Sequence, residues 1–265
     1  MKIFMTDMKK SWEDEYSIPF CEVDTKKEVF LPTLWNFMQE TAWHHADNLR
    51  VGYSDLSKHQ HFWVLSRLSI QMEVYPRWGD RIKINTWLTG TGRLFALRNF
   101  SIANSKGDIL GMAKSAWLVL DLKSRRPQRI EPIFEHLRHL FDSLPPAEEP
   151  EKLRGPVQPK MKKSLTVHYS DIDMHHHVNN TKYMEWILDS YPLGMHENYH
   201  IHTFQINYLA ESSHGDAISV HSEPVDDFPP TFLHNVFRAN DGRELCRARA
   251  SWGKCHPELD SGSHY

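Results

Sequence analysis

Apolar residues along this chain recur with two periods, near two and near three and a half, and the order in which they alternate is played through twice. Residues 15–23 read as a strand. Residues 30–49 carry Leu34, Trp35, Phe37, Met38, Ala42 and Trp43 at helical spacing, which predicts a long amphipathic helix. Four strand-like runs follow at 62–75, 80–88, 94–103 and 109–122, punctuated by the turn signals Gly79-Asp80 and Gly107-Asp108. The first of them alternates, placing Phe62, Val64, Leu68, Ile70, Met72 and Val74 on one face. A strand, a helix and four strands form an α+β order, because a parallel doubly wound sheet would alternate strand and helix throughout.

Residues 124–162 break this pattern. They are rich in Pro and charge, with a short helix expected at 133–140, and predict a linker crossing the surface. Beyond it the first pattern returns as a strand at 164–170, a helix at 177–191 and strands at 201–210, 216–222, 231–239 and 244–252. Gly79-Asp80 recurs as Gly215-Asp216, an offset of 136. The same offset lays Phe204, Ile206 and Tyr208 on Leu68, Ile70 and Met72, so the apolar face keeps its register. Asn104, Gly107 and Trp117 recur as Asn240, Gly242 and Trp252. The chain therefore reads as two copies of one unit, 12–125 and 163–254, joined by a linker at 126–162. The first dozen residues are expected to be loosely held, and 255–265 to form a frayed tail.

The two copies differ at one place. The second helix is entered through Asp171-Ile-Asp-Met-His-His-His-Val-Asn-Asn and continues with Tyr183, Met184, Ile187, Leu188 and Tyr191 on one face, before Pro192 and Gly194 stop it. In the first copy the entry reads Asp24-Thr-Lys-Lys-Glu28, without histidine, and Glu211 is matched by Tyr75. Polar side chains at the mouth of a buried helix need mutual hydrogen bonds or a chemical role. One active site is thus expected, in the second copy, leaving the first free to shape a cavity. Asp171 is expected as a turn or cap acid and His176 as a solvent-facing residue. His44 and His45 are expected as satisfied histidines. The triple histidine lacks the ligand spacing of a metal site, and no metal or cofactor is expected.

Composition narrows the field further. With 265 residues the chain is long enough for a substantial core, and 40% hydrophobic with 25% charged residues is the balance of a globular protein. Lys and Arg number 31 against 34 Asp and Glu, a net charge of −3, which gives no general case for nucleic acid. No run has the length of a membrane span, and the N-terminal stretch lacks a signal-peptide pattern. Three cysteines without CxxC spacing argue against a disulfide framework and for a reducing cytoplasm.

With the doubled strand–helix–strand pattern, Tyr169-Ser-Asp-Ile-Asp followed by His177-Val-Asn, and Tyr208-x-Ala-Glu211-Ser212 followed by Gly215-Asp216, the sequence resembles the acyl-acyl carrier protein thioesterases, closest to their bacterial branch. Leu94-Phe-x-x-Arg98-Asn-Phe and Ala113-x-Ser-x-Trp117 add to the likeness, which spans roughly 14–253. The resemblance implies two tandem hotdog units, each an antiparallel sheet wrapped around one long helix. It further implies a cytoplasmic homodimer without cofactor that hydrolyses fatty acyl-acyl carrier protein to free fatty acid. It assigns catalysis to Asp173, His175, His177 and Glu211, with His175 standing where the family has Asn and Ser212 where plant relatives have Cys. Glu211 or Asp173 would activate water, His177 would orient or shuttle the proton, and His175 would polarise the carbonyl. Trp35, Met38, Trp43 and Asn179 would bind substrate, the first three setting chain length. The basic clusters 123–129 and 160–163 read as solvated linker, or as docking patches for an acidic carrier protein. The alternatives are an acyl-CoA thioesterase, a hotdog hydratase, or a non-catalytic domain that binds acyl thioesters.

Overall fold

The structure, a computed structural model, describes residues 8–91, 94–137, 140 and 148–254. The expected tail at 255–265, the first seven residues and the middle of the linker lie outside the described residues.

Ten antiparallel strands form one sheet: β1 (Ser11–Ser17), β2 (His61–Met72), β3 (Arg81–Thr91), β4 (Phe95–Asn104), β5 (Ile109–Asp121), β6 (Met161–Thr166), β7 (Tyr199–Tyr208), β8 (Ala217–Asp227), β9 (Pro230–Arg238) and β10 (Arg243–Lys254). Their order is β1-β3-β4-β5-β2-β7-β10-β9-β8-β6, so the second half mirrors the first across the β2–β7 seam. Ser69 faces Gln205 at the centre of the paired residues there, and these two are themselves related by the offset of 136. The principal helices are α1 (Leu31–Asn48) and, in the second half, α4 (Asn180–Leu188), with short helices α2 (Tyr53–Ser57), α3 (Glu131–Phe134) and α5 (Leu193–Asn198). This is the α+β, doubled hotdog arrangement expected from the sequence, except that α4 has only 9 residues against 18 in α1.

Burial explains the arrangement. Leu34, Trp35 and Met38 of α1 and Met184 and Ile187 of α4 pack into one continuous core with Leu68, Ile70, Phe204 and Ile206 from the seam strands. The helices also meet through polar groups. The Trp35 indole N–H donates to Asn180 Oδ1 at 2.7 Å, Asn180 Nδ2 to Gln39 Oε1 at 2.7 Å, and Thr181 Oγ1 to Asn36 Oδ1 at 2.8 Å.

Several boundaries differ from the sequence expectation. The first strand lies at Ser11–Ser17, not at 15–23, because Pro19 precedes a 3₁₀ turn at Phe20–Glu22. The strand thus reaches into the stretch expected to be loose. In β2 the register shifts between Leu65 and Arg67, so Leu65 joins Leu68 and Ile70 in the core, a place the simple alternation gave to Val64. Of the expected helix at 133–140, the part through residue 137 is α3 followed by a 3₁₀ turn at Glu135–Leu137, residue 140 is again helical, and 138–139 lie outside the described residues. Residues 148–160 carry no regular structure and cross the seam, where Asn207 holds them by donating to Glu151 O at 3.0 Å and accepting from Leu153 N at 2.7 Å.

Candidate active site

The second helix is entered through a 3₁₀ turn, Tyr169–Asp171, and a tight loop. Asp173 shapes that loop. Its Oδ1 accepts from His175 N at 2.8 Å and His177 N at 3.4 Å, while its own N–H donates to His177 O at 2.8 Å. The loop closes with His176 at φ 63°, exposed to solvent as its sequence position suggested. Asp171 is buried and accepts from His168 N, the turn role expected of it. Asn179 is the N-cap of α4, its Oδ1 accepting from Thr181 N at 2.9 Å.

The first half builds the same loop from different residues. Asp24 Oδ1 accepts from Lys26 N and Glu28 N at 2.8 and 3.0 Å, and Lys27 takes φ 64°. Here the offset between halves is 149, whereas the sheet strands keep 136. The difference of 13 residues is absorbed by the longer helical region of the first half.

Glu211 sits just past the end of β7, and this strand end lets it leave the parity of Gln205 and Asn207. Neighbouring Ser212 faces inward: its Oγ is bonded to the Tyr183 hydroxyl at 2.8 Å and its carbonyl accepts from Val178 N at 3.0 Å. Those two bonds tie the Glu211 segment to the loop and helix. Glu211 Oε2 lies 3.4 Å from His177 Nε2. His177 and Glu211 are thus brought together, with His175 two residues away on the same loop.

Arg125, which by sequence is one member of a run of linker charges, completes the group. It ion-pairs with Glu211 through Nη2, stands 3.5 Å from His177 Nε2, and lays its guanidinium over Phe62 at 5.0 Å. It is carried by the tight turn that ends β5, with φ 57°. A run of basic residues holds no signal marking which member folds back across the molecule.

Phe62 also lines a cavity of about 330 Å³ between α1, α2 and the first-half strands, and His175 and Met174 reach it from the second half. Its wall is mostly apolar, and the face of α1 that it uses is Gln39, Ala42, Trp43 and Ala46. Trp43 is therefore on the cavity. Trp35 and Met38 are not: both are fully buried in the core, Trp35 stacking on the cavity-lining Trp117 at 6.3 Å. Asn179 is absent from the lining as well.

A larger cavity, about 680 Å³, occupies the equivalent position at the first-half loop. It is lined by the acids Glu22, Asp24, Glu28, Glu185 and Asp189. Lys26 is paired there with Glu28 at 3.3 Å and Asp24 at 3.7 Å, and the Tyr75 hydroxyl donates to Ile201 O at 2.8 Å. Burial raises the Tyr75 phenol well above its ordinary range. His196 and His200 line the cavity too, and His196 Nε2 is bonded to Leu188 O at 3.1 Å. No group of three or more His, Cys, Asp or Glu among the described residues is placed to hold a metal, and no described helix is long and apolar enough to cross a membrane.

Residues 9–136 match the acyl-ACP thioesterase N-terminal domain, and residues 155–254 match the C-terminal domain. A chloroplastic palmitoyl-acyl carrier protein thioesterase from Gossypium hirsutum is 30% identical over 92% of this chain, and the chain spans 64% of that relative's length. An acyl-ACP thioesterase from Bacteroides thetaiotaomicron superposes with a TM-score of 0.82 at 28% identity, covering 94% of this chain and all of that one. The fold is shared too by the 12:0-ACP thioesterase from Umbellularia californica, with a TM-score of 0.81 at 24% identity over 95% of this chain and 99% of that one. With both family domains matched in order and the doubled fold in common, the chain belongs to the acyl-ACP thioesterase family.

Proposed function

We propose that this chain hydrolyses the thioester of fatty acyl-acyl carrier protein, releasing free fatty acid, with one active site at the second-half helix entry. The observation that carries this reading is the meeting of Glu211, His177 and Arg125 beside an apolar cavity that His175 and Phe62 line. The acyl chain occupies the cavity and the thioester lies near His175. Glu211 takes a proton from water, whose oxygen attacks the thioester carbon. His177, 3.4 Å from that carboxylate, orients the water and passes the proton on. His175 donates a hydrogen bond to the carbonyl oxygen as charge develops there. The C–S bond then breaks, and the proton goes to the departing thiolate. Asp173 acts through the loop: its carboxylate, accepting from two backbone N–H groups, fixes where His175 and His177 stand. Arg125 orients Glu211, and its neighbours in the 123–129 cluster offer positive charge to an acidic carrier. Asn179 contributes by capping α4.

Cys21 is exposed and Cys246 buried, both free, which supports a reducing, cytoplasmic setting. Homodimeric assembly rests on the resemblance alone and is read from the mass in solution.

Turnover of one acyl group on carrier protein and on CoA tests the proposal, with Glu211→Gln and Arg125→Gln beside wild type. Carrier-linked substrate is expected to be preferred. Glu211→Gln should lose about 10²–10⁴-fold in kcat, as for loss of a general base, and Arg125→Gln a smaller factor. Full activity of folded Glu211→Gln refutes the assignment. Preference for CoA moves the substrate class, and an absence of turnover on either leaves a binding protein.

A further inference from the structure

The linker carries apolar residues that a crossing of the surface does not need. Ile130, Ile133, Phe134, Leu137 and Leu140 recur at helical spacing inside a stretch otherwise rich in Pro and charge. The chain brings them back over the first half. Past the turn that ends β5, Gln128 N donates to Val119 O at 2.8 Å and Pro127 bridges to Leu120. Phe95, the first residue of β4, pairs with Leu118, so the returning segment runs along the part of β5 that β4 leaves uncovered. The helix α3 follows at once. Ile130 and Leu137 are fully buried and Phe134 is 3% exposed; they join Leu49, Leu56 and Val119 in a second core cluster, distinct from the one that packs Trp35 and Met38 on the sheet.

Of these linker residues Phe134 is the one that reaches the cavity lined by His175. Its ring meets Trp63 edge to face at 5.9 Å, and Trp63 lines the same cavity with its indole N–H fixed to Val51 O at 2.8 Å. Phe134 thus belongs both to the cavity wall and to the cluster behind it, whereas Leu49, Leu56, Ile130 and Leu137 belong to the cluster and do not line the cavity. The ring is a partition between an apolar space and apolar side chains. An alkyl chain in that space gains roughly 4-fold in affinity for each methylene that finds room. A close-packed wall ends the gain, because forcing extra methylenes into it displaces side chains and backbone. The wall is anchored apart from the ring: Ile130 and Leu137 flank it in the same core, and His136 Nε2 donates to Leu49 O at 3.0 Å.

We propose that Phe134, a linker residue, is the wall that ends the acyl cavity and so limits the length of chain the protein accepts. This rests on the thioesterase reading for what fills the cavity, and it places chain-length selection outside both strand–helix units.

Binding is the primary measurement. Saturated, non-hydrolysable acyl thioethers of carrier protein, lengthened two carbons at a time, are titrated calorimetrically into wild type, Phe134→Ala, Phe134→Leu, Phe134→Trp and Leu137→Ala. In wild type the affinity should rise roughly 4-fold per methylene until the cavity is full, and then stop rising. That break should move to longer chains in Phe134→Ala, less far in Phe134→Leu, and to shorter chains in Phe134→Trp. Leu137→Ala hollows the same cluster without opening the cavity wall, so its break should stay at the wild-type length. A loosened core lowers affinity at every length and leaves the break in place, which separates a structural role from a limiting one. If Phe134→Ala fails to fold, the Leu and Trp variants decide. A break at the wild-type length in every folded Phe134 variant overturns the inference, and so does an equal shift in Leu137→Ala. Affinity indifferent to chain length in wild type takes the alkyl chain out of the cavity and sinks the thioesterase reading as well, whereas a wild-type break that no Phe134 variant moves sinks this inference alone.

Discussion

Asp24 and Asp173 make the same hydrogen bonds in two halves that differ in the chemistry around them. An aspartate at this position is therefore required by the loop, whatever the loop carries, and the second half uses the loop to present two histidines. The buried histidines elsewhere have consequences of another kind. His234 is fully buried, bonded to the Tyr191 hydroxyl through Nε2 and to Ser222 Oγ through Nδ1, both at 2.7 Å. Burial lowers it to about 3, and His45 to about 4. In the unfolded chain both return to the ordinary value near 6.5. Between these values the unfolded state holds more protons than the folded one, so stability is complete above the unfolded value and is lost as pH falls. Each histidine contributes a slope of up to roughly 1.4 kcal/mol per pH unit in that window. Denaturant unfolding from neutrality down to about pH 4.5 should show this steepness, and His234→Gln should flatten it. Equal slopes in the two proteins would show that His234 takes up its proton without unfolding.

At the level of elements, α1 works with two faces. Leu34, Trp35, Met38 and His45 are buried toward the sheet, while Gln39, Ala42, Trp43 and Ala46 line the cavity. Helical spacing in the sequence identified the helix, and it identified Trp35, Met38 and Trp43 as large residues on it. It did not separate the faces, because both are apolar enough to read as core. The strand runs were legible for the opposite reason: alternation and turn glycines are local signals, and Gly79 and Gly215 indeed hold φ 84° in equivalent turns. What escaped was set by contacts distant in sequence, such as the shift in β2, the helix α2 and the reach of Arg125 to Glu211 across 86 residues. The two faces predict opposite phenotypes. Met38→Ala should cost about 2–5 kcal/mol of stability and leave the chain length of the released acid unchanged. Ala46→Phe should shift released acids toward shorter chains at little cost in stability. Product chromatography and urea midpoints of the two variants decide it; a length shift in Met38→Ala alone would return the specificity role to the core face.

At the scale of the whole molecule, the β2–β7 seam joins two halves with equivalent helix entries in one continuous sheet, and His177 and Glu211 stand 3.4 Å apart at the second of them. The other has the larger cavity, so size alone would favour it as the binding site. Charge argues the reverse. Five acids line that cavity against Lys26, which already serves Glu28, Asp24 and the Tyr199 carbonyl at 3.0 Å. An acidic carrier protein presenting its acyl group there meets like charge, which is unfavourable at the contact distance and slows encounter. At the second-half entry Arg125 and its basic neighbours present the opposite sign. Calorimetric titration with a carrier protein bearing a non-hydrolysable acyl thioether should therefore reach one equivalent per chain. Lys26→Met, which removes the cation paired with Asp24 and Glu28, should not change that number or the affinity. Two equivalents of similar affinity, or a loss of binding in Lys26→Met, would place carrier recognition at the first-half entry and leave the second-half cluster to explain on other grounds.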